Sequence, residues 1–444
     1  DGAGSTSGKN YLHFCATPGR TQNPLAPSSW KYNHYMSILS GKHILLGVTG
    51  SIAAYKAADL ASKLAQAGAQ VDVILTGAGE KFVTPLTFQS VTGRRAYTDD
   101  DLWGNEAHIL HVSFGKTADL LVVAPCTADT MAKLAHGIAD NLLTVTALAA
   151  TCPILIAPAM DGGMFDHPAT QENLTTLRSR GVLVAGPAQG HLASGLSGKG
   201  RMLEPMEVLG HIRIALGKNG KLAGKKVIVT AGGTQEALDP VRVITNHSSG
   251  RQGYALAQAA LDSGADVCLI TAPTALTPPV GARVIRVKSV QEMLEALMNE
   301  SADALIMAAA AADFRPKQVA REKMKKRDGI PQIELEAAPD ILKTVSSSPL
   351  GAGSGSPAEK KRFQVVIGFA AESQDLLENA SEKLQSKGLD MIAANDISAN
   401  DAGFAVETNR ITLLFANGTK EILPLMSKTE AAERIIEHTA KLLE

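Results

Sequence analysis

Two glycine-rich turns, one in each half of the chain, carry residues that could bind phosphate groups. Residues 47–52 read Gly-Val-Thr-Gly-Ser-Ile after an apolar run at 44–46, and residues 230–234 read Thr-Ala-Gly-Gly-Thr after a second apolar run at 227–229. Backbone N–H groups at such a turn, and at the start of the helix after it, donate hydrogen bonds to phosphate oxygens. The sequence therefore predicts two nucleotide-type sites. The first turn is explained equally well by packing of a helix on a strand, and it lacks the GxGxxG spacing of a dinucleotide site, so a mononucleotide is the better prediction.

A polar loop follows a second buried strand in the first half. Residues 125–130 read Pro-Cys-Thr-Ala-Asp-Thr after an apolar run at 120–124. Ligands of open parallel sheets bind beyond the carboxyl ends of the strands, so we expect this loop to line the same site as the first glycine turn. His111 and His108 precede the strand, and by chemistry alone they are equal candidates for acid–base work. Each of them is also explained as an ordinary surface histidine.

The second half has two polar clusters beyond its glycine turn. Residues 246–249 read Asn-His-Ser-Ser inside a run of small and polar residues at 239–253, which suits a cradle for phosphates better than a hydrophobic core. Residues 308–312 are five alanines followed by Asp313, and such small residues let a ligand approach the backbone closely. The lysine-rich run at 322–326 is either a solvated surface patch or a charged cover over a triphosphate. Its position after Asp313 favours the cover.

Apolar runs that alternate with helical stretches must position these residues. In the first half the runs lie at 44–48, 71–75, 120–124, 154–157 and 182–185, and in the second half at 227–230, 267–270, 304–308, 365–370 and 391–394. Continuous apolar strands between helices indicate a parallel sheet covered on both faces. The predicted fold class is α/β, with two doubly wound, Rossmann-like domains. We predict domains at 41–205 and 225–444 and a linker at 206–224, and we interpret residues 1–40 as a leader or cloning remnant outside the fold.

Composition excludes several classes of function. The 43 basic residues balance 44 acidic ones, so net charge predicts neither nucleic-acid binding nor attraction to a membrane surface. The longest apolar stretches are about half of the roughly 20 residues that a membrane span requires. The four cysteines form no CxxC pair, which argues against a zinc site or a disulfide framework and predicts a reducing, cytoplasmic setting.

From residue 42 to its end, the chain resembles the bifunctional phosphopantothenoylcysteine decarboxylase/phosphopantothenate:cysteine ligases of coenzyme A synthesis. The first half is similar to flavin-dependent cysteine decarboxylases: the family histidine, seven residues before an Ala-Asp pair, matches His111, and a Pro-Ala-Met-Asn-x-x-Met motif matches 158–164. The resemblance implies a flavodoxin-like flavoprotein domain. The implied FMN-binding residues are Gly50, Ser51, Ile52, Thr76, Pro125, Thr127, Ala128 and Met160. The implied catalytic residues of this half are His111, Asp161, Met164 and Ser194.

Two of these positions depart from the family pattern. Asp161 stands where asparagine is common, and Ser194 stands where a mobile flap usually carries cysteine. In the family reaction FMN takes a hydride equivalent from the cysteinyl group, the histidine helps remove the thiol proton, carbon dioxide leaves, and the reduced flavin returns the electrons. An ionised aspartate repels the substrate carboxylate, and serine is a poorer proton donor than a thiol. We expect both departures to be tolerated, because the surrounding motifs are intact.

For the second half the resemblance implies a CTP-dependent ligase. Phosphopantothenate attacks the α-phosphate of CTP, pyrophosphate leaves, and the amine of L-cysteine captures the acyl-cytidylate. The family roles assign stabilisation of that intermediate to Asn246 and nucleotide contact to Lys323, while Mg²⁺ near Asp313 would offset the triphosphate charge. Ala338 stands where the family usually has asparagine. The implied nucleotide-binding residues are Gly232, Gly233, Ser248, Ser249, Gly250, Ala309, Ala310, Asp313, Lys323, Lys325, Phe369, Lys383 and Lys387.

The resemblance also implies a homo-oligomer, with trimers of the flavin domain and dimers of the ligase domain. Two other functions stay open at this point. One is a flavin-linked oxidoreductase or prenyltransferase fused to a nucleotide-binding domain, because one fold hosts many chemistries. The other is an inactive regulatory homologue. The His111 motif argues against the first, and the retention of His111, Asn246 and Lys323 argues against the second.

Overall fold

The structure is a computed structural model that describes residues 38–103, 107–191, 195, 197–347, 362–372, 375–396 and 408–444. The predicted leader lies outside the described residues except for its last three positions. Among these, Leu39 is buried in the hydrophobic core of the first half. The fold therefore starts no later than Leu39.

The first half contains one sheet, a hairpin, eight α-helices and a short 3₁₀ helix at Asp99–Trp103 among the described residues. The strands are β1 (His43–Val48), β2 (Gln70–Leu75), β3 (Ala96–Tyr97), β4 (Leu120–Cys126), β5 (Ile154–Pro158), β6 (Leu183–Val184), β7 (Ala188–His191) and β8 (Ser197–Arg201). The helices are α1 (Ala54–Gln66), α2 (Pro85–Thr92), α3 (Ala107–Thr117), α4 (Ala128–His136), α5 (Leu142–Ala149), α6 (Gly162–Asp166), α7 (Pro168–Ser179) and α8 (Pro205–Gly217).

The sheet of the first half is parallel and has the order β3-β2-β1-β4-β5-β6. Ile44 and Leu46 of β1 face a core that includes α1 and α8, whereas Leu45 between them faces a second core with α4 and α5. Both faces are therefore covered, which explains why the strands are apolar throughout. The strand order reverses between β1 and β4, and a ligand crevice is expected at that point.

The second half contains a larger sheet and three two-stranded ribbons among the described residues. Its strands are β9 (Lys226–Ala231), β10 (Gln235–Ala237), β11 (Val243–Thr245), β12 (Asp266–Thr271), β13 (Arg283–Arg286), β14 (Ala302–Met307), β15 (Phe314–Pro316), β16 (Leu335–Ala337), β17 (Phe363–Glu372), β18 (Met391–Asp396), β19 (Thr408–Asn409), β20 (Ile411–Phe415), β21 (Lys420–Ile422) and β22 (Met426–Ser427). Its helices are α9 (Arg251–Asp262), α10 (Val290–Met298), α11 (Ile341–Ser347), α12 (Leu376–Ser386) and α13 (Lys428–Leu443).

The large sheet has the order β13-β12-β9-β14-β17-β18-β20-β21. Its strands are parallel up to β18, and β20 and β21 continue it as antiparallel strands. Helices α9 and α13 cover one face, and α10, α11 and α12 cover the other. The α/β fold class with two doubly wound sheets, predicted from the apolar runs, is confirmed.

Helix α8 connects the two halves. It packs against α1 of the first half and against α9 of the second. Arg213 of α8 donates a hydrogen bond from Nε to Asp262 Oδ1 of α9 at 3.0 Å, and its Nη2 pairs with the other carboxylate oxygen. The range 206–224, predicted as a linker, thus consists largely of a packed helix. Among the described segments, none of the helices combines the length and the apolar composition of a membrane span.

Candidate active sites

A cavity of about 600 Å³, here the first cavity, opens in the first half beside the ends of β1, β4 and β5. Seven residues that the sequence predicts for this site line it: Gly50, Ser51, Thr76, Thr127, Ala128, Met160 and Met164. The sequence thus identified the strand ends that meet at the cavity.

The glycine turn before α1 forms one wall of the first cavity. A Cβ on Gly50 would come within 2.5 Å of the Ala78 Cβ, so the turn can pass this neighbour only without a side chain. Ser51 Oγ accepts a hydrogen bond from Ala53 N at 3.2 Å, which orders the backbone at the start of α1. Gly50 and Ser51, which line the cavity, thus lie just before the N-terminus of α1, the end of a helix that favours anions.

The loop after β4 forms the opposite wall. Thr127 caps α4, because its Oγ1 accepts a hydrogen bond from Thr130 N at 3.3 Å. Thr49 joins this loop to β1: its Oγ1 donates to Pro125 O at 2.7 Å and accepts from Thr127 N at 3.2 Å. These hydrogen bonds hold the ends of the two central strands in register.

The first cavity also carries charged residues that the predicted site did not include. Asp99 accepts hydrogen bonds from Gly77 N at 3.1 Å and from Leu142 N at 3.0 Å. Among the described lining residues Lys133 is the only cation, and it pairs with Asp140 at 3.1 Å and Asp129 at 3.4 Å. The hydrogen bond to Asp140 is the main reason why the pKa of Lys133 lies above its ordinary value. Since its charge is already compensated, backbone N–H groups and hydroxyls must provide most of the attraction for an anion.

The second cavity, also about 600 Å³, lies at the carboxyl ends of β14, β17 and β18. Among its lining residues are nine of the predicted nucleotide-binding residues, together with Asn246. The nine are Ser248, Ser249, Gly250, Ala309, Ala310, Asp313, Phe369, Lys383 and Lys387.

Hydrogen bonds join the segments around the second cavity. Asn246 Nδ2 donates to Ala311 O at 3.0 Å, which fixes the asparagine against the alanine run. Ala310 N donates to Gly232 O at 2.8 Å, so the same run is also bound to the glycine turn. A Cβ on Gly233 would come within 2.9 Å of Asn246 O, which explains the absence of a side chain there. Gly232 and Gly233 therefore support the wall from behind and do not line the cavity.

Two carboxylates face the second cavity in different states. Asp340 pairs with Lys387 at 3.3 Å, whereas Asp313 is exposed and has no side-chain partner among the described residues. The described residues contain no cluster of three or more His, Cys, Asp or Glu side chains that could hold a metal ion. A divalent cation at Asp313 would therefore need ligands from a bound nucleotide.

The two halves match two different protein families. Residues 33–216 match the Flavoprotein family, and residues 222–443 match the DNA/pantothenate metabolism flavoprotein C-terminal domain. The coenzyme A biosynthesis bifunctional protein CoaBC of Bacillus subtilis is 46% identical over 410 residues, which cover 91% of this chain and 98% of the relative. The protein of the same name from Vibrio cholerae is 46% identical over 407 residues, covering 90% of this chain and 98% of the relative. The chain belongs to this bifunctional coenzyme A biosynthesis family.

Membership in the bifunctional coenzyme A biosynthesis family confirms the resemblance drawn from the motifs. The first half is a flavoprotein domain of the decarboxylase type, and the second is a ligase domain. A solved C-terminal domain of a CoaBC protein is 38% identical and covers 50% of this chain and 98% of its own, with a TM-score of 0.41.

Four residues predicted for the flavin site of this bifunctional protein do not line the first cavity. The carbonyl oxygen of Pro125 accepts a hydrogen bond from Thr49 Oγ1, and Ile52 is exposed on the surface at 59%. Asp161 caps the short helix α6, accepting from Gly163 N at 3.0 Å. His111 lies on α3, and its Nδ1 is buried without a hydrogen-bond partner among the described residues. Ser194 lies outside the described residues.

Two of the four lysines predicted for nucleotide binding lie outside the lining of the second cavity. Lys323 and Lys325 are both exposed. Met324 between them is held by its backbone: its N–H donates to Asp239 Oδ2 at 3.2 Å, and its carbonyl accepts from Arg242 Nη1 at 3.1 Å. The two lysines thus flank a fixed backbone point of the ligase domain, and neither of them lines the second cavity.

Several residues that line the second cavity belong to no motif that could be recognised in the sequence. Asn409 and Lys428 come from the last part of the chain and are nearly fully buried. Asn409 Nδ2 donates to Gln252 Oε1 at 2.7 Å, and Gln252 Nε2 donates to Lys428 O at 3.3 Å. The side-chain oxygens of Asn395 and Asn409 are buried and have no hydrogen-bond partner among the described residues, which is uncommon for buried polar atoms. Arg251 and Gln252, in contrast, directly follow the recognised motif, and that position was a usable signal.

Proposed function

We propose that residues 225–444 join 4'-phosphopantothenate to L-cysteine with CTP, and that residues 41–205 decarboxylate the product to 4'-phosphopantetheine with FMN. The observation that supports this best is the pair of separate cavities, each at the carboxyl ends of a parallel sheet. Seven residues predicted for the flavin site line the first cavity, and nine predicted nucleotide-binding residues together with Asn246 line the second. The reaction of the second domain precedes that of the first.

The first cavity fits an FMN group. Its volume lies within the roughly 300–1,000 Å³ that is typical of cofactor sites. The backbone at Gly50 and Ser51 would bind the phosphate at the start of α1, with the Thr127 hydroxyl opposite, and Met160 and Met164 offer apolar surface. FMN held there would supply reversible hydride transfer, so that the decarboxylation has no net redox change.

His111 would move the thiol proton of the substrate. Because it does not line the first cavity of its own chain, we propose that it acts at the flavin site of a neighbouring copy, in the trimer that the resemblance implies. His111 is only partly buried on α3, which leaves part of its surface for such a contact, although its Nδ1 is buried. A mixture of an inactive His111→Asn variant with an inactive Gly50→Leu variant should regain decarboxylase activity, because some interfaces would combine an intact histidine with an intact cavity. The lack of any recovery in mixed oligomers would argue against this arrangement.

The second cavity supports the ligase chemistry. In the first step a carboxylate oxygen of phosphopantothenate attacks the α-phosphorus of CTP, and pyrophosphate leaves. In the second step the cysteine amine attacks the acyl carbon, CMP leaves with the bonding electrons, and the amine loses a proton. Asn246, held by Ala311 O, would donate to the acyl-cytidylate, while Lys383 and Lys387 would face the phosphates. The exposed Asp313 would help to hold a Mg²⁺ ion, which would offset the charge of the triphosphate.

A ligase dimer and a cytoplasmic location complete the proposal. The location rests on the cysteine composition and on substrates that are small water-soluble ions. The direct test is mass spectrometry of the products after the purified protein has been incubated with phosphopantothenate, cysteine, CTP and magnesium. Phosphopantetheine with CMP and pyrophosphate is expected. Accumulation of phosphopantothenoylcysteine would contradict the proposal for the first half, and the absence of pyrophosphate would contradict it for the second.

A further inference from the structure

The carboxylate of Asp239 lies beneath the segment that carries Lys323 and Lys325. Its side chain is fully buried, with 0% exposure, in the connection between β10 and β11. Neither the glycine turn nor the motif at 246–250 includes this residue. Because a buried carboxylate is costly unless donors surround it, its partners indicate what it does.

Four hydrogen bonds satisfy the Asp239 carboxylate. Oδ1 accepts from Val241 N at 2.8 Å and from Arg242 N at 2.7 Å. Oδ2 accepts from Arg242 Nη1 at 2.7 Å and from Met324 N at 3.2 Å. Burial by itself would raise the pKa of Asp239, but the backbone donors and the Arg242 cation hold it below its ordinary value.

Only one of these partners is distant in sequence, and it shows which segment the Asp239 carboxylate fixes. Met324 is 85 residues away from Asp239 and lies between the two lysines. Both its N–H and its carbonyl are bound, the former by Asp239 and the latter by Arg242. Four residues earlier, Ala320 N donates to Leu238 O at 3.0 Å, so the segment is attached at two points.

We propose that Asp239 is a positioning residue for the ligase reaction, whose carboxylate fixes the backbone between Lys323 and Lys325 so that their ammonium groups can reach the nucleotide phosphates. This inference rests on the proposed function of the second half. With Met324 fixed, each lysine needs to order only its own side chain when a triphosphate binds, which reduces the entropy cost of that contact. Such a gain is available only when the anchor is formed before the nucleotide arrives.

The substitution Asp239→Asn separates this role from simple space filling. Asparagine has nearly the same shape, but it offers one acceptor oxygen and one NH₂ group. If the oxygen keeps the bonds to Val241 and Arg242, the NH₂ group faces Met324 N–H and the Arg242 guanidinium, which are themselves donors. The anchor at Met324 is then lost while the local turn is retained.

Asp262→Asn provides a matched control. Asp262 is also a mostly buried carboxylate, at 10% exposure, and it is paired with Arg213 between α8 and α9. Its replacement removes an ion pair of the same kind but touches neither the lysine segment nor the second cavity. Both variants should lower the melting temperature.

Two measurements test the inference on the full-length protein. In the first, the rate of pyrophosphate release from CTP should fall roughly 10- to 100-fold in Asp239→Asn, because misplaced contact groups cost about that factor, while the KM for cysteine stays unchanged. In the second, tryptic cleavage after Lys323 and Lys325, followed by mass spectrometry, should be about tenfold faster in Asp239→Asn, as expected for the loss of a charge-assisted hydrogen bond. Asp262→Asn should match the wild type in both.

The outcomes separate this inference from the proposed function. Equal cleavage rates at Lys323 and Lys325 in wild type and Asp239→Asn would overturn the anchor, whatever the activity. Wild-type rates of pyrophosphate release in Asp239→Asn, or an equal loss in Asp262→Asn, would overturn the positioning role. A wild-type protein that releases no pyrophosphate would overturn the proposed ligase function together with the catalytic part of this inference. The cleavage rates would still show whether Asp239 fixes the backbone at Met324.

Discussion

Gly200 of the β7–β8 hairpin lies directly against the carbonyl group of Met160. A Cβ on Gly200 would come within 2.3 Å of Met160 O, and Gly200 O accepts a hydrogen bond from Met160 N at 3.0 Å. The φ of Gly200 is 141°, a conformation that favours glycine. Since Met160 lines the first cavity, this contact joins the hairpin to the edge of the flavin site.

Replacement of this glycine should therefore disturb both stability and flavin binding. We expect Gly200→Ala to lower the free energy of unfolding by roughly 3 kcal/mol, because backbone strain and a collision with a carbonyl oxygen add up. Urea unfolding and flavin fluorescence on titration measure the two effects. Gly181→Ala is the control, since Gly181 also has a positive φ, 84°, but no atom near an added Cβ. An equal loss of unfolding free energy in both variants would show that the contact with Met160 adds nothing to the effect of the positive φ.

The stability of the first half should fall as pH rises through neutrality. His43 Nε2 lies 2.7 Å from Asp72 Oδ2, and the hydrogen bond to Asp72 is the main reason why the pKa of His43 lies above its ordinary value. A raised histidine pKa contributes stability that is fully present below the unfolded pKa of about 6.5 and is lost as pH rises through the folded pKa. Urea unfolding between pH 6 and pH 9 should show this loss in the wild type. In His43→Gln the same pH range should give a flatter curve, and parallel curves would contradict the prediction.

Asp161→Asn should leave the first half intact. Aspartate and asparagine are equally good N-caps, so the hydrogen bond from Gly163 N should persist and the unfolding free energy should change by less than about 0.5 kcal/mol. We expect the rate of carbon dioxide release to change by less than about threefold. Ser194→Cys, at a position outside the described residues, belongs in the same assay. A much larger gain in either variant would mean that the natural residue limits decarboxylation.

Cys126 should be unreactive although it lies at the end of β4 beside the first cavity. Its side chain is fully buried, and burial raises the pKa of the thiol to about 12. At pH 8 almost none of it is thiolate, which is the reactive form. Native protein treated with iodoacetamide and digested should therefore show modification of the half-buried Cys152 before that of Cys126. Early modification of Cys126 would contradict this prediction, and labelling in urea confirms that both peptides are detected.

Local patterns predicted those parts of the two sites that follow one strand directly. Gly50, Thr127 and Ala309 each lie within a few residues of an apolar run, and the rule that ligands bind at the carboxyl ends of parallel strands assigned each of them to the site of its own domain. The sequence predicted the class of sheet but not the order of its strands, because helices with similar sequence patterns can cover either face.

The remaining parts depend on contacts between distant segments. Asp99 lines the first cavity, where its carboxylate accepts hydrogen bonds from Gly77 N and Leu142 N. No sequence motif relates these three positions. Asn409 reaches the second cavity through Gln252, 157 residues earlier. His111 and Lys323 were recognised by their motifs. A motif indicates the chemical role of a residue but not its position in the fold, and in the single chain neither residue lines a cavity.

Helix α8 and the turn after it limit how the two activities can cooperate. A Cβ on Gly217 would come within 2.5 Å of Asp262 O, and one on Gly220 within 2.5 Å of Ser263 O, so this connection is packed against the end of α9. Because this connection is so closely packed, it cannot act as a flexible linker that moves the intermediate from one site to the other. In the order of reactions proposed above, the product of the ligase would leave the second cavity and bind in the first, so the efficiency of the two steps would depend on local concentration and on how the copies assemble.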